Sequence, residues 1–106
     1  MQIQIHPGDV HTSEAIEAHV REQVTHAVGH FMARVTRVEA FLHDDNGLKH
    51  GKTDKRCVLE AHVAGAKPIV AESQGDDLYA AIKAAGGRLH SALKHSLDRQ
   101  EAHKSH

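Results

Sequence analysis

Residues 34–44 read Arg34-Val35-Thr36-Arg37-Val38-Glu39-Ala40-Phe41-Leu42-His43-Asp44. Val38, Ala40 and Leu42 fall on one side of an extended chain; Arg37, Glu39, Phe41 and His43 fall on the other. Alternation over this length marks a strand with one buried face, because successive side chains of an extended backbone point to opposite faces. The pattern returns over residues 55–64, with Cys57, Leu59, Ala61 and Val63 inward and Arg56, Val58, Glu60 and His62 outward. Between the two strands, Asp45-Asn46-Gly47 reads as a turn and the polar stretch from Leu48 to Asp54 as a loop. Gly65-Ala66-Lys67 makes a tight connection to a fourth strand, Pro68 to Gln74, and proline suits a strand start.

On either side of this three-stranded meander the period changes. Upstream, Ile3 and Ile5 alternate with Gln2 and Gln4 in a short first strand, which Pro7-Gly8-Asp9 ends. Ile16, Val20, Val24, Ala27, Val28 and Phe31 then recur at helical spacing, so a helix is expected over about residues 13–32. Thr12 or Ser13 serves as N-cap, Glu14 and Glu17 favour the first turn, and Gly29 weakens the last turns. Downstream, Asp76 is the expected cap of a second helix with the stripe Leu78, Ile82, Ala85, Leu89, Leu93 and Leu97. It runs to about Gln100, with a frayed tail to His106. Gly86-Gly87 inside this helix predicts either a bend or a very close neighbour.

The order is therefore β-α-β-β-β-α. One stripe per helix puts both helices on the same sheet face, and the helical crossover makes the first strand parallel to its neighbour. The fold class is α+β: a four-stranded sheet under two helices in a single domain, residues 1–106, with an ordered core of about 1–100.

Composition narrows the function. The 106 residues are 40% hydrophobic and 25% charged, which is globular. Only 3% are aromatic, with no Trp, which argues against a platform that stacks bases. One cysteine, Cys57, excludes an internal disulfide and a multi-cysteine zinc site, and its inward position makes it a buried, inert thiol. With no apolar run of membrane length and no opening segment that reads as a signal peptide, a cytoplasmic protein is expected. Thirteen Lys and Arg against fourteen Asp and Glu give a formal net charge of −1. Twelve His make that figure soft. When half of them are protonated, near a pH of about 6.5, the net charge rises to roughly +5.

Three motifs carry a family resemblance: Met1-Gln2-Ile3-Gln4-Ile5, Thr12-Ser13-Glu14-Ala15-Ile16, and Gly75-Asp76-Asp77-Leu78-Tyr79-Ala80-Ala81-Ile82. In these, and over nearly the whole chain to about Arg99, the sequence resembles the ribosome hibernation-promoting factors, also called ribosome-associated inhibitors or sigma-54 modulation proteins. The longer segment from Asp44 to Cys57 looks like a divergent branch of that family. The resemblance implies a fold similar to double-stranded-RNA-binding domains and a non-enzymatic role. It also implies a place in the small-subunit channel between head and body, where mRNA and tRNA positions are blocked when growth slows. Long members add a C-terminal dimerisation domain, and the resemblance places this chain with the short ones. Family members hold rRNA through basic residues on both helices. Here the matching positions are Arg21 in the first helix and Lys83, Arg88, Lys94 and Arg99 in the second. Two family lysine positions in the first helix are Gln23 and His26.

The spacing of the second helix supports the same face. Lys83, Gly87, His90 and Lys94 lie at i, i+4, i+7 and i+11, with Arg88, His95 and Arg99 beside them. Such a row can track phosphates, although Lys and Arg also populate any solvated helix face. The expected rRNA-binding set is Arg21, His26, Lys83, Arg88, His90, Lys94, His95 and Arg99. His26 and His30 stand four apart, as metal ligands can, but no third ligand accompanies them, and no metal or other cofactor is expected. Asp44-Asp45 is explained by turn chemistry, and Tyr79 by packing at the helix start. No phosphate loop, nucleophile triad or acid–base pair is present, so no small-molecule substrate is expected. The favoured function is a ribosome-binding hibernation or stress factor that inhibits translation by occupancy. The rival is a protein-interaction module with weak or no RNA binding, forming a weak homodimer through the outer sheet face around Phe41 and Val58.

Overall fold

The computed structural model describes residues 1–8, 10–44 and 55–104, with side chains through residue 97. Strand β1 (Gln2–His6) is followed by helix α1 (Glu14–Val28), a single 3-10 turn (Gly29–Phe31), β2 (Val35–Asp44), β3 (Lys55–Val63), β4 (Ile69–Gly75) and helix α2 (Leu78–Lys104). The sheet order is β1-β2-β3-β4. β1 runs parallel to β2, with Ile3 opposite Val38, and the other two pairs are antiparallel. The expected α+β order, pairing and faces are all present. The turn and loop read over residues 45–54 lie outside the described residues.

Local chemistry sets the helix ends. The Ser13 hydroxyl accepts the Ile16 N–H at 3.2 Å, so Ser13 is the N-cap of α1. α1 ends at Val28, earlier than the apolar spacing predicts, because Gly29 turns to φ 54° and its N–H bonds the Thr25 carbonyl. Phe31 continues the apolar stripe from the 3-10 turn. At α2 the capping carboxylate is Asp77, not Asp76: Asp77 Oδ1 accepts the Ala80 N–H at 2.8 Å. α2 is unbroken through Gly86-Gly87 and extends to Lys104, past the expected end near Gln100.

α1 lies over β1 and β2, α2 lies over β3 and β4, and the helices pack on each other. Between helices and sheet runs one aliphatic layer that includes Val20, Val24, Leu42, Leu59, Leu89 and Leu93, all fully buried. Each such side chain contributes about 1.5–3 kcal/mol on leaving water. Of the two alternatives for the glycine pair, close packing is the one observed. A Cβ on Gly86 would stand 3.4 Å from both Cβ and the carbonyl oxygen of Gln23 on α1, whereas a Cβ on Gly87 would meet open space.

The two glycines therefore predict opposite outcomes. Gly87→Ala should stabilise the domain by about 0.5–1 kcal/mol through helix propensity. Gly86→Val should cost about 1–3 kcal/mol, because branched atoms must push α1 away. Urea denaturation of the two variants checks the pair.

Candidate nucleic-acid interface

The line where the helices meet is built from residues at helical spacing. His19, Gln23 and His26 form the flank of α1 that faces α2; Lys83, Gly86, Gly87 and His90 form the facing flank of α2. At one end His19 Nε2–H donates to the Tyr79 carbonyl at 3.1 Å, and the two rings lie 5.0 Å apart. At the other end His90 Nδ1 lies 3.0 Å from the Ala27 carbonyl oxygen. A carbonyl only accepts, so the His90 ring donates from Nδ1. Ala27 is in the last turn of α1, where carbonyls lack helical partners and a cation is favoured.

Between these two contacts lies a groove of about 300 Å³, lined by Gln23, His26, Ala27, Lys83, Gly86, Gly87 and His90. The absent side chains at Gly86 and Gly87 open its floor to the backbone. Three of its walls' side chains, His26, Lys83 and His90, are cationic or become so on protonation. Lys94 continues the same line one turn past His90, because 83, 87, 90 and 94 fall within about 60° of each other around a helix of 3.6 residues per turn.

The structure divides the rest of the sequence-derived set. Arg88 and His95 are exposed, but they sit about 100–140° around α2 from the Lys83–Lys94 line, on the flank away from α1. Arg21 lies on the flank of α1 turned away from α2 and takes no part in the groove; its carbonyl accepts the Thr25 hydroxyl. Arg99 lies in α2, with its side chain outside the described residues. His19 and Gln23 are groove-line residues that the charge-based reading passed over. Their spacing with His26, at i, i+4 and i+7, was the available signal. Tyr79 is 44% exposed and packs its ring on His19. His30 packs on Phe31, with ring centroids 4.2 Å apart.

The cations on α2 are also unspent. Among the described residues Lys83, Arg88 and Lys94 have no acidic partner, whereas on the outer face of the sheet Arg37 pairs with Glu39 and Arg56 with Glu72. That outer face is polar at its centre. Phe41 is half-buried beneath the His6 ring, stacked at 4.7 Å and 11°, and Val58 is half-buried too. Burial pushes the Glu39 carboxyl up, but hydrogen bonds from His6 and His62 and the charge of Arg37 outweigh it and hold Glu39 below the usual carboxylate range. Val70 of β4, on the same face, is more exposed than either, at 56%.

A four-stranded sheet covered on one face by two helices, with a groove between them lined by His26, Lys83 and His90, defines a small α+β module. The chain belongs to the sigma-54 modulation protein / S30EA ribosomal protein family, which matches residues 3–101. This is a family of non-enzymatic, ribosome-associated hibernation factors. The fold is similar to that of a ribosomal subunit interface protein from Coxiella burnetii, with TM-score 0.73 and 18% identity over 92% of this chain and 99% of that one. It is also similar to the N-terminal domain of Protein Y from Thermus thermophilus, with TM-score 0.67 and 20% identity over 89% of this chain and 93% of that one. No curated protein matches the sequence. Among the described residues no helix is long and apolar enough to cross a membrane.

Cys57 stands apart from this surface. It is fully buried in the core, and burial pushes its thiol up to about 12. A disulfide reagent at a pH of about 8 should therefore leave Cys57 unmodified in the folded protein and modify it at once in denaturant. Absorbance of the released thiolate measures both.

Proposed function

We propose that this protein binds the small ribosomal subunit and inhibits translation by occupying the mRNA and tRNA channel, held there by rRNA phosphates along the α1–α2 groove. The observation that carries this reading is the convergence of His26, Lys83 and His90 on one groove whose floor is two glycines. Phosphates approach such a floor closely, and Lys83 and Lys94 then supply fixed charge along one line. Arg88 and His95 extend the cationic surface over the outer flank of α2, where a second RNA segment is within reach. Arg21 is remote from the groove and contributes only long-range attraction. The family membership supports a ribosomal partner in the cytoplasm. The low aromatic content supports recognition of backbone rather than of stacked bases.

Lys83→Glu with Lys94→Glu should abolish cosedimentation with small subunits while leaving the thermal melt unchanged. Arg88→Glu with His95→Glu should weaken it less. A Lys83→Ala, Lys94→Ala variant should bind with a salt slope, in log units, smaller by about two, since two phosphate contacts release fewer counterions. Equal binding by the parent and the Lys83/Lys94 reversal rejects the groove as the contact.

The histidines add a pH dependence whose sign is determined. Bound phosphate favours the protonated imidazole, so the complex takes up protons as it forms. Affinity should rise as pH falls from about 7.5 to about 6, and the gain should fade as pH rises again. A His26→Gln, His90→Gln variant measured on the same subunits controls for the response of the ribosome itself. It should lose the pH dependence while keeping the binding supplied by Lys83 and Lys94.

A further inference from the structure

On the sheet face opposite the helices, Glu39 of β2 and Glu60 of β3 are direct cross-strand partners. Two carboxylates at such a position repel unless a positive group lies between them. His62 provides the link: its Nε2 stands 2.9 Å from Glu39 Oε2 and 3.1 Å from Glu60 Oε1. A neutral imidazole places one hydrogen on that nitrogen, which serves one carboxylate well and leaves the other facing a nitrogen without a second proton to give. The nitrogen and the two oxygens thus converge, all within 4.8 Å of one another.

We propose that Glu39, Glu60 and His62 form a binding site for a divalent first-row transition ion such as Zn²⁺. Donor atoms bound about 2.0–2.1 Å from a tetrahedral zinc stand about 3.3 Å from each other. The His62–Glu39 and His62–Glu60 separations are within a few tenths of an ångström of that, so the ion fits with small side-chain rotations. One imidazole and two carboxylates suit such an ion better than Mg²⁺, which prefers an all-oxygen octahedron with several waters. The side chains are half-buried, at 22% exposure for His62, 18% for Glu39 and 31% for Glu60, and water completes the coordination.

Two neighbours shape the site. His6 Nε2 donates to the other oxygen of Glu39 at 3.0 Å, and its ring is held by the stack on Phe41. This fixes the carboxylate with Oε2 toward His62, as outer partners of metal ligands do. Arg37 has a terminal guanidinium nitrogen 3.4 Å from Glu39 Oε2 and 3.3 Å from His62 Nε2. It is the counter-charge of the ion-free cluster. Its side chain is 40% exposed and swings outward when the ion takes its place. Spacing along the chain does not reveal the site, because its ligands come from two strands and meet only through the β2–β3 register.

Isothermal titration of the full chain with Zn²⁺ is the test. One saturable ion per chain is expected, with affinity lowered at least about tenfold in Glu60→Gln and in His62→Gln. Arg37→Gln should tighten binding. Glu60→Gln removes a carboxylate from a repelling pair, so its fold is retained, and a circular-dichroism melt verifies that. The twelve histidines offer Zn²⁺ other imidazoles. Zn²⁺ affinity unchanged in both Glu60→Gln and His62→Gln assigns the ion to those and overturns the site. Absence of saturable binding by the parent overturns it equally.

Discussion

The distance between the two helices is set at Gly86. Any side chain there would begin 3.4 Å from Gln23 on α1, at the near edge of ordinary contact, so a larger residue would push α1 and α2 apart on the four-stranded sheet. Much else depends on that approach. The aliphatic layer closes because each helix covers two strands with no gap between them. Across that approach, His90 Nδ1 reaches the carbonyl of Ala27 at 3.0 Å. The groove exists because two close helices leave a trough over the glycines where their surfaces diverge.

The two outer surfaces of the molecule handle charge in opposite ways. On the sheet, cations and carboxylates neutralise one another across neighbouring strands, with Glu39 at the centre of contacts from His6, Arg37 and His62. On the helices, Lys83, Arg88 and Lys94 stand without acidic partners among the described residues. A formal net charge of −1 therefore coexists with a local line of cations, Lys83 and Lys94, along α2. For a polyanionic ligand, the field at the docking face matters more than the sum over the chain.

Histidine links the two surfaces. His19 and His90 each tie one helix to a carbonyl of the other, and His6 and His62 tie strands together through a carboxylate. Imidazole suits these places because one ring nitrogen can be committed to a structural hydrogen bond while the other remains available. Four of the twelve histidines thus serve specific helix–helix and strand–strand contacts.

The order of elements, the inward faces of β2 and β3 and the stripe of each helix were legible from sequence. They follow from periods of two and 3.6, which are properties of the local backbone. Ser13 was one of two candidate caps, and the hydroxyl geometry selected it. Other features depended on residues far apart in the chain. Asp77 rather than Asp76 caps α2, because the angle at which β4 delivers the chain decides which carboxylate meets the free N–H groups. Gly86 rather than Gly87 is the contact glycine, because the crossing point on α1 is a property of two helices together. The basic residues looked like one face in a linear count. Helical rotation and the position of α1 split them, gathering His26, Lys83 and His90 and turning Arg21 and Arg88 away. The Glu39–Glu60–His62 cluster was invisible for the same reason: only the register of β2 against β3 brings those three together. Periodicity determines which way a side chain faces, and tertiary packing decides what it faces.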